Sequence, residues 1–186
     1  MENKSEIVFQ ILDWNCYEEP DEEDVEFFKI RLYGRDKNNN TVFVRVDGYT
    51  PYFYVGIPMN WRANTVKVFV EELKKIVGSE YKNSLKEFKV VERHKFMGFT
   101  NNKIYKFLML CFNSHIGFRK YEWALKRPIY NRMLARNKRF YKVYETNIEP
   151  MLRCMHIRKL NSCGFVKIDK YDILDKKDST ISDINI

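Results

Sequence analysis

The residues best suited to chemistry in this chain are aromatic and basic. Tyr52 and Tyr54 stand two apart in PYFYVGIP, and Tyr105 and Phe107 stand two apart in NKIYKFLMLCF. On a strand, that spacing puts each pair on one face. Aromatic faces beside lysines and arginines can stack unpaired nucleic-acid bases while the cations hold phosphates. The same spacing also builds an ordinary core. Met109 and Cys111 continue the face of Tyr105 and Phe107, while Leu108, Leu110 and Phe112 make the opposite face apolar too. A strand that is apolar on both sides is expected in a sheet covered on both sides. For Tyr54, Tyr105 and Phe107 both readings stand: core or subdomain interface, and nucleic-acid platform.

The second feature is a run of cations. Between Trp123 and Tyr144 there is no acid, but there are seven bases: Lys126, Arg127, Arg132, Arg136, Lys138, Arg139 and Lys142. A phosphate backbone needs several cations along one track, so Arg127, Arg132, Arg136, Lys138 and Arg139 are expected nucleic-acid contacts. A solvated surface is the plainer alternative. The acids gather elsewhere, with seven between Glu18 and Glu26. The net charge of +8 and the pI of about 9.2 point the same way, toward an anionic partner.

Other chemistries find no support. Cys16, Cys111, Cys154 and Cys163 form no CxxC and no Cys/His pair at metal-ligand spacing. Cys111 lies in an apolar run and reads as a buried thiol, and the set suits a reducing compartment without disulfides. His94, His115 and His156 are scattered, and none has a Ser or Cys partner at a suggestive spacing. No strand carries the aspartates that a two-metal nuclease or polymerase would aim at shared cations. Catalytic residues and metal ligands are therefore not expected. The string KLNSCG at 159–164 shares letters with KxxxNSxYG of one polymerase class. Its lysine is too close and the tyrosine is missing, so it reads as coincidence. The start MENKS is not followed by the apolar segment of a signal peptide, and no apolar run reaches membrane-spanning length. A soluble intracellular protein is expected.

These residues must be positioned by a packed scaffold. The chain has 186 residues and is 45% hydrophobic, enough for one domain or two small subdomains. IVFQILDW (7–14) reads as a strand, followed by an acidic loop containing Pro20. In FFKIRLY, Phe28, Ile30 and Leu32 face one way and Lys29 and Arg31 the other. After the turn GRDKNNN, TVFVRV places Val42, Val44 and Val46 inward and Arg45 outward. Tyr52–Ile57 is a strand opened by Pro51. Asn60–Gly78 is a helix with the stripe Val66, Phe69, Val70, Leu73 and Val77, capped by Asn64 or Thr65 and ended by Gly78. Phe88–Phe96 and Lys103–Phe112 are strands joined by a turn at Gly98–Asn102. Ser114 opens a second helix, whose inner face is Phe118, Tyr121 and Leu125 and which Pro128 ends. Phe140–Glu145 is a short strand. A helix follows, with Asn147 as cap and Pro150 in its first turn, and then the strand CGFVKI (163–168).

From Pro51 to Glu145 the order is β-α-β-β-α-β, the ferredoxin-like arrangement shared by RNA-recognition domains. Strand patterns of those domains are met in part. Tyr54 takes the aromatic place of the first strand. Lys103, Tyr105 and Phe107 keep the basic start and the paired aromatics of the third, but its small residues are lost.

Three longer runs carry a closer likeness. They are DGYTPYFYV (47–55), HKFMGFTNN (94–102) and YETNIEPMLR (144–153) continuing to Gly164-Phe165. Together they resemble the N-terminal region of family B DNA polymerases, especially the delta-like enzymes of large DNA viruses. Cys154 and Phe165 depart from the family's usual aromatic and tryptophan.

The resemblance spans residues 7 to about 172 and implies an α+β fold: antiparallel OB-like strands packed with a ferredoxin-like, RRM-like βαββαβ subdomain. The expected divisions are 1–50 for the OB-like strands and 51–145 for the βαββαβ part. Residues 146–174 form a helix and strand returning to the first part, and 175–186 a polar tail. It implies a non-catalytic template-side domain that contacts single-stranded template and supports the exonuclease and polymerase domains of a viral replicative enzyme in the host cytoplasm. The parent enzyme would polymerise and proofread with Mg2+. The exonuclease's Asp-x-Glu strand and the palm aspartates are absent from this chain, so no cofactor is expected in it. In archaeal relatives this domain holds a pocket for template uracil, and Pro51 and Tyr52 match its wall. The other pocket residues do not align, so uracil sensing is not expected. The alternative is a free-standing module that binds single-stranded nucleic acid or docks other domains.

Overall fold

In chain order the elements are β1 (Ile7–Pro20), β2 (Glu26–Asp36), β3 (Thr41–Val46), β4 (Tyr52–Ile57), α1 (Ala63–Val77), a 3-10 turn (Lys82–Ser84), β5 (Leu85–His94), β6 (Ile104–Phe112), α2 (His115–Leu125), β7 (Val143–Tyr144), α3 (Pro150–Ile157), β8 (Phe165–Ile168), β9 (Asp172–Ile173) and β10 (Ser182–Ile184). They come from a computed structural model that describes residues 6–21, 25–95, 101–134 and 137–168, and the backbone alone at 172–173 and 182–184. The fold is α+β and divides into two compact units. One comprises Met1–Pro20, Phe27–Tyr49 and Glu149–Ile186, the other Asp21–Glu26 and Thr50–Ile148.

The first unit is built on a sheet of order β8-β1-β2-β3-β10-β9. β2 and β3 pair antiparallel with Ile30 opposite Val46 and Leu32 opposite Val44. The two-residue period therefore gathers Phe28, Ile30, Leu32, Val42, Val44 and Val46 on one buried face, as their spacing predicts. Phe9 and Ile11 join them from β1. Val166 and Ile168 join from β8, which pairs antiparallel with β1. Lys29, Arg31 and Arg45 point away from this core. β1 runs on through Glu18 and Glu19 to Pro20, beyond the expected strand and into the expected acidic loop. Two cross-strand cations explain the extension. The Arg31 guanidinium lies 3.6 Å from the Tyr17 ring centre, and Arg45 approaches Glu19 at 3.9 Å. Of the acidic cluster, Glu22, Glu23 and Asp24 lie outside the described residues.

The second unit holds an antiparallel sheet of order β5-β6-β4-β7. One face is covered by α1 and α2. Phe53, Val55 and Ile57 of β4 and Leu108, Leu110 and Phe112 of β6 form one core with Val66, Phe69, Val70 and Leu73 of α1 and Phe118, Tyr121 and Leu125 of α2. The inner residues of both helices are those their periodicity predicts. Ser114 caps α2 as expected, its Oγ accepting from the Gly117 N–H at 3.0 Å. Gly78 closes α1 with φ +93°, a conformation that favours glycine.

Other ends differ from expectation. α1 starts at Ala63, and its cap residue, Arg62, makes no side-chain bond. Trp61 is buried against Phe69 and Tyr141, with ring centres 5.3 and 5.6 Å away. This anchor sets where the chain enters the helix, ahead of Asn64 and Thr65. The expected strand 140–145 contracts to Val143–Tyr144 because Tyr141 turns into the core. Most of the expected turn at Gly98–Asn102 lies outside the described residues. Asn101 and Asn102 take left-handed φ of +46° and +56°.

All four cysteines are free thiols, and two are buried. Burial, with Glu87 beside it, pushes the Cys111 thiol up to about 11. Burial also raises Cys154 to about 11, against a smaller opposing effect of Arg158. At pH 8 each should hold about a hundredfold less thiolate than an ordinary thiol. A thiol-disulfide reagent should therefore label exposed Cys163 first and Cys111 and Cys154 only on unfolding. Four equal labelling rates in the native protein would contradict this burial.

Candidate nucleic-acid interface

Since Phe53, Val55, Leu108 and Leu110 turn toward the helices, the alternate residues of the same strands turn to the other face of the sheet. The register sets Tyr52 opposite Cys111, Tyr54 opposite Met109 and Gly56 opposite Phe107. On the far side of β4, Tyr54 pairs with Tyr144. The structure thus brings Tyr52, Tyr54, Tyr105 and Phe107 onto one face and adds Tyr144. The rings meet edge-on: Tyr52 and Tyr54 at 5.7 Å, Tyr54 and Phe107 at 6.4 Å, Phe107 and Tyr144 at 5.2 Å. Phe107 is 6% exposed and packs beneath its neighbours, whereas Tyr52, Tyr54 and Tyr105 are half-buried. Pro51 is buried, and its carbonyl accepts from the Phe112 N–H at 2.8 Å.

Lysines border this face. Lys95 Nζ lies 3.9 Å from the Tyr105 ring centre and 5.8 Å from that of Tyr144. Lys103 is 5.7 Å from Tyr105, and Lys142 is 5.4 Å from Tyr144. These three cations were not among the expected contacts. Their signal in the sequence was their position at the ends of the aromatic strands.

The basic segment is held differently. Ile129 and Arg139 exchange both backbone hydrogen bonds, at 2.9 and 3.0 Å, closing the chain between them. Ile129 and Tyr141 are buried in the helix-side core, so they pin the segment at both ends. Burial pushes the Tyr141 phenol up, with Arg139 opposing. Arg127, Arg132, Lys138 and Arg139 are exposed, and Arg136 lies outside the described residues. The described cations therefore lie on a stretch anchored to the helix-side core at Ile129 and Tyr141. Exposed among them are three aromatic residues that sequence reasoning passed over: Trp123 at 60%, Tyr130 at 48% and Phe140 at 68%. For Trp123 a signal existed, because on α2 it falls opposite the stripe Phe118, Tyr121 and Leu125.

Among the described residues no three His, Cys, Asp or Glu side chains converge as a metal site requires, and no helix is long and apolar enough to cross a membrane.

No family model matches the chain. Known relatives do. It is 40% identical over 180 residues to a DNA polymerase of Acanthamoeba polyphaga mimivirus, covering 91% of this chain and 10% of that one. It is 26% identical over 151 residues to a DNA polymerase of Phaeocystis pouchetii virus, covering 76% of this chain and 14% of the relative. The chain thus spans a small fraction of these relatives' length. The fold matches the family B DNA polymerase of the archaeon Pyrobaculum calidifontis with a TM-score of 0.66, over 96% of this chain and 20% of that one, at 18% identity. Placed beside the sequence runs quoted above, these likenesses identify the chain as an N-terminal region of the family B DNA polymerases of large DNA viruses.

Proposed function

We propose that this chain is the non-catalytic, template-side domain of a viral DNA polymerase. It contacts single-stranded template and supports the exonuclease and polymerase domains of a longer parent enzyme, which would supply the catalysis and bind the Mg2+. The observation that carries the reading is the set of exposed cations Arg127, Arg132, Lys138 and Arg139, on a stretch of chain without acids that is anchored by the buried Ile129 and Tyr141 and by the Ile129–Arg139 hydrogen bonds. Cations fixed along one track can follow a phosphate backbone without reading its sequence. The order β4-α1-β5-β6-α2-β7 with sheet order β5-β6-β4-β7 supports a ferredoxin-like reading of the second unit. The largely antiparallel six-stranded sheet supports an OB-like reading of the first.

The lysine-bordered tyrosine face is a secondary contact on this reading, with Phe107 supporting Tyr54 from below. A base stacking on Tyr105 would displace Lys95. That exchange is feasible, because an exposed cation–π contact is worth about 0.5–1 kcal/mol and a stacked base about 1–3 kcal/mol.

Fluorescence anisotropy with labelled oligonucleotides tests the proposal. Changing Arg127, Arg132, Lys138 and Arg139 together to Ala should weaken binding equally for all base sequences. The slope of log affinity against log salt should shrink by roughly 0.7 for each phosphate the variant no longer neutralises. Absence of binding by the unaltered chain at low salt would remove the DNA-contact claim. A domain-docking module is the second reading, favoured by Val8, Leu12 and Phe165, which are 44, 54 and 76% exposed. Val8 and Leu12 share a face of β1, and Phe165 pairs with Gln10 between them. Docking alone predicts no response to the oligonucleotide.

A further inference from the structure

We infer that the solvent face of α2 is a base-stacking site for single-stranded nucleic acid, with Trp123 as the stacking ring. The inference rests on the template-contact reading and extends it from phosphate to base. Arg119 and Lys120 on α2 and Lys126 and Arg127 in the turn that closes it fall three or four residues from Trp123, so four exposed cations stand around one indole. Glu122 is the acid in their midst, and its side chain is 13% exposed. It pairs with Arg119 at 3.0 Å and Lys126 at 3.5 Å. These pairs hold the two cations in place and leave the face net positive. Arg127 places its guanidinium 4.7 Å from the indole centre. Trp123 stays 60% exposed, and a shallow groove runs past it between Arg119, Lys120 and Lys126.

The occupant follows from these features together. The surplus of cations selects a polyanion. A single large flat ring among them suits a base that is out of its own stack, which a duplex does not offer. The acid-free chain continues beyond the helix, and exposed Tyr130 and Phe140 recur beside Lys138 across the Ile129–Arg139 bridge. A strand entering at α2 would therefore meet ring and cation in alternation. Trp123 makes no contribution to the buried core of the second unit, so its substitution can be read as a loss of binding.

The test uses the 186-residue chain with an oligo-dT probe and a duplex of equal length, at low salt. Single-stranded probe should quench tryptophan fluorescence saturably, and the duplex should bind without that quench. Trp123→Phe should retain most of the affinity but lose the quench, because the remaining indoles, Trp61 buried in the core and Trp14 in the other unit, lie outside the stacking site. Trp123→Ala should weaken single-strand binding roughly tenfold to a hundredfold, the range of one stacked base. Unchanged affinity in Trp123→Ala together with a loss in the Lys138→Ala/Arg139→Ala variant would overturn the stacking site and leave the phosphate reading intact. If the unaltered chain binds neither probe, both readings fall. A blue shift with anionic vesicles but no response to oligo-dT would overturn the inference in favour of a lipid surface.

Discussion

Gly34→Ala should lower the unfolding free energy by about 3 kcal/mol, although it adds a single methyl group. Gly34 is buried in β2 opposite Val42 of β3. A Cβ at that position would meet the Gln10 backbone oxygen at 2.2 Å, the Phe9 ring at 2.5 Å and the Gln10 carbonyl carbon at 3.0 Å. Two of these three neighbours are main-chain atoms of β1, so no side-chain rotation relieves the overlap. The strands must separate, or Phe9 must leave a core in which it is wholly buried. Gly48 is the control. Its φ is +77°, and a methyl group there would meet nothing within 4 Å. Gly48→Ala should therefore cost only the left-handed backbone, about 1 kcal/mol. Urea midpoints at unchanged slope measure both. Equal, small losses at the two sites would show that the β1–β2 spacing yields freely.

Phe53→Ala should cost about 3–5 kcal/mol, the range for removing a fully buried phenylalanine. Phe53 is 0% exposed at the centre of the second unit. Its ring stacks on Phe112 at 5.2 Å and meets Phe118 edge-on at 5.0 Å, tying β4 to β6 and α2 together. The side chain joins three elements at once, so the hole cannot be closed by moving one of them. Phe53→Leu, which keeps most of the volume, should recover the larger part of the loss. A cost under about 1 kcal/mol for Phe53→Ala would mean that the core collapses readily into the space. Tyr52 and Tyr54 flank Phe53 on β4, so the variant should also disturb their ring contacts on the opposite face.

Inward and outward residues were legible wherever the chain alternates. The valines of β3 and the phenylalanine and aliphatics of β2 lie inside because a strand has only two faces and charged residues occupy one. The stripe of α1 and the Ser114 cap were legible for the same local reason. Legibility failed where a distant partner decides. Glu18 and Glu19 read as loop because the cations that hold this end of β1, Arg31 and Arg45, lie on other strands. The start of α1 was misread because Trp61 is anchored by Tyr141, far along the chain.

The candidate sites show the same division. Residue type and spacing marked Tyr54, Tyr105 and Phe107 as one group and the segment after Trp123 as cationic. Spacing could not say how deeply each ring is covered, and the fold separates them: Phe107 is buried while Tyr54 and Tyr105 are half-buried. Nor could it show that the cations gather beside Trp123, Tyr130 and Phe140.

The order of the elements, the faces that must be apolar, the surplus of positive charge and the likeness to viral polymerases could all be read from the chain without its fold. These are local or additive properties. The extension of β1 to Pro20, the position of β4 between β6 and β7, and the choice of which rings stay in contact with solvent came from folding alone. Those outcomes depend on contacts between residues far apart in sequence, where burial of one side chain is set by what another segment places over it.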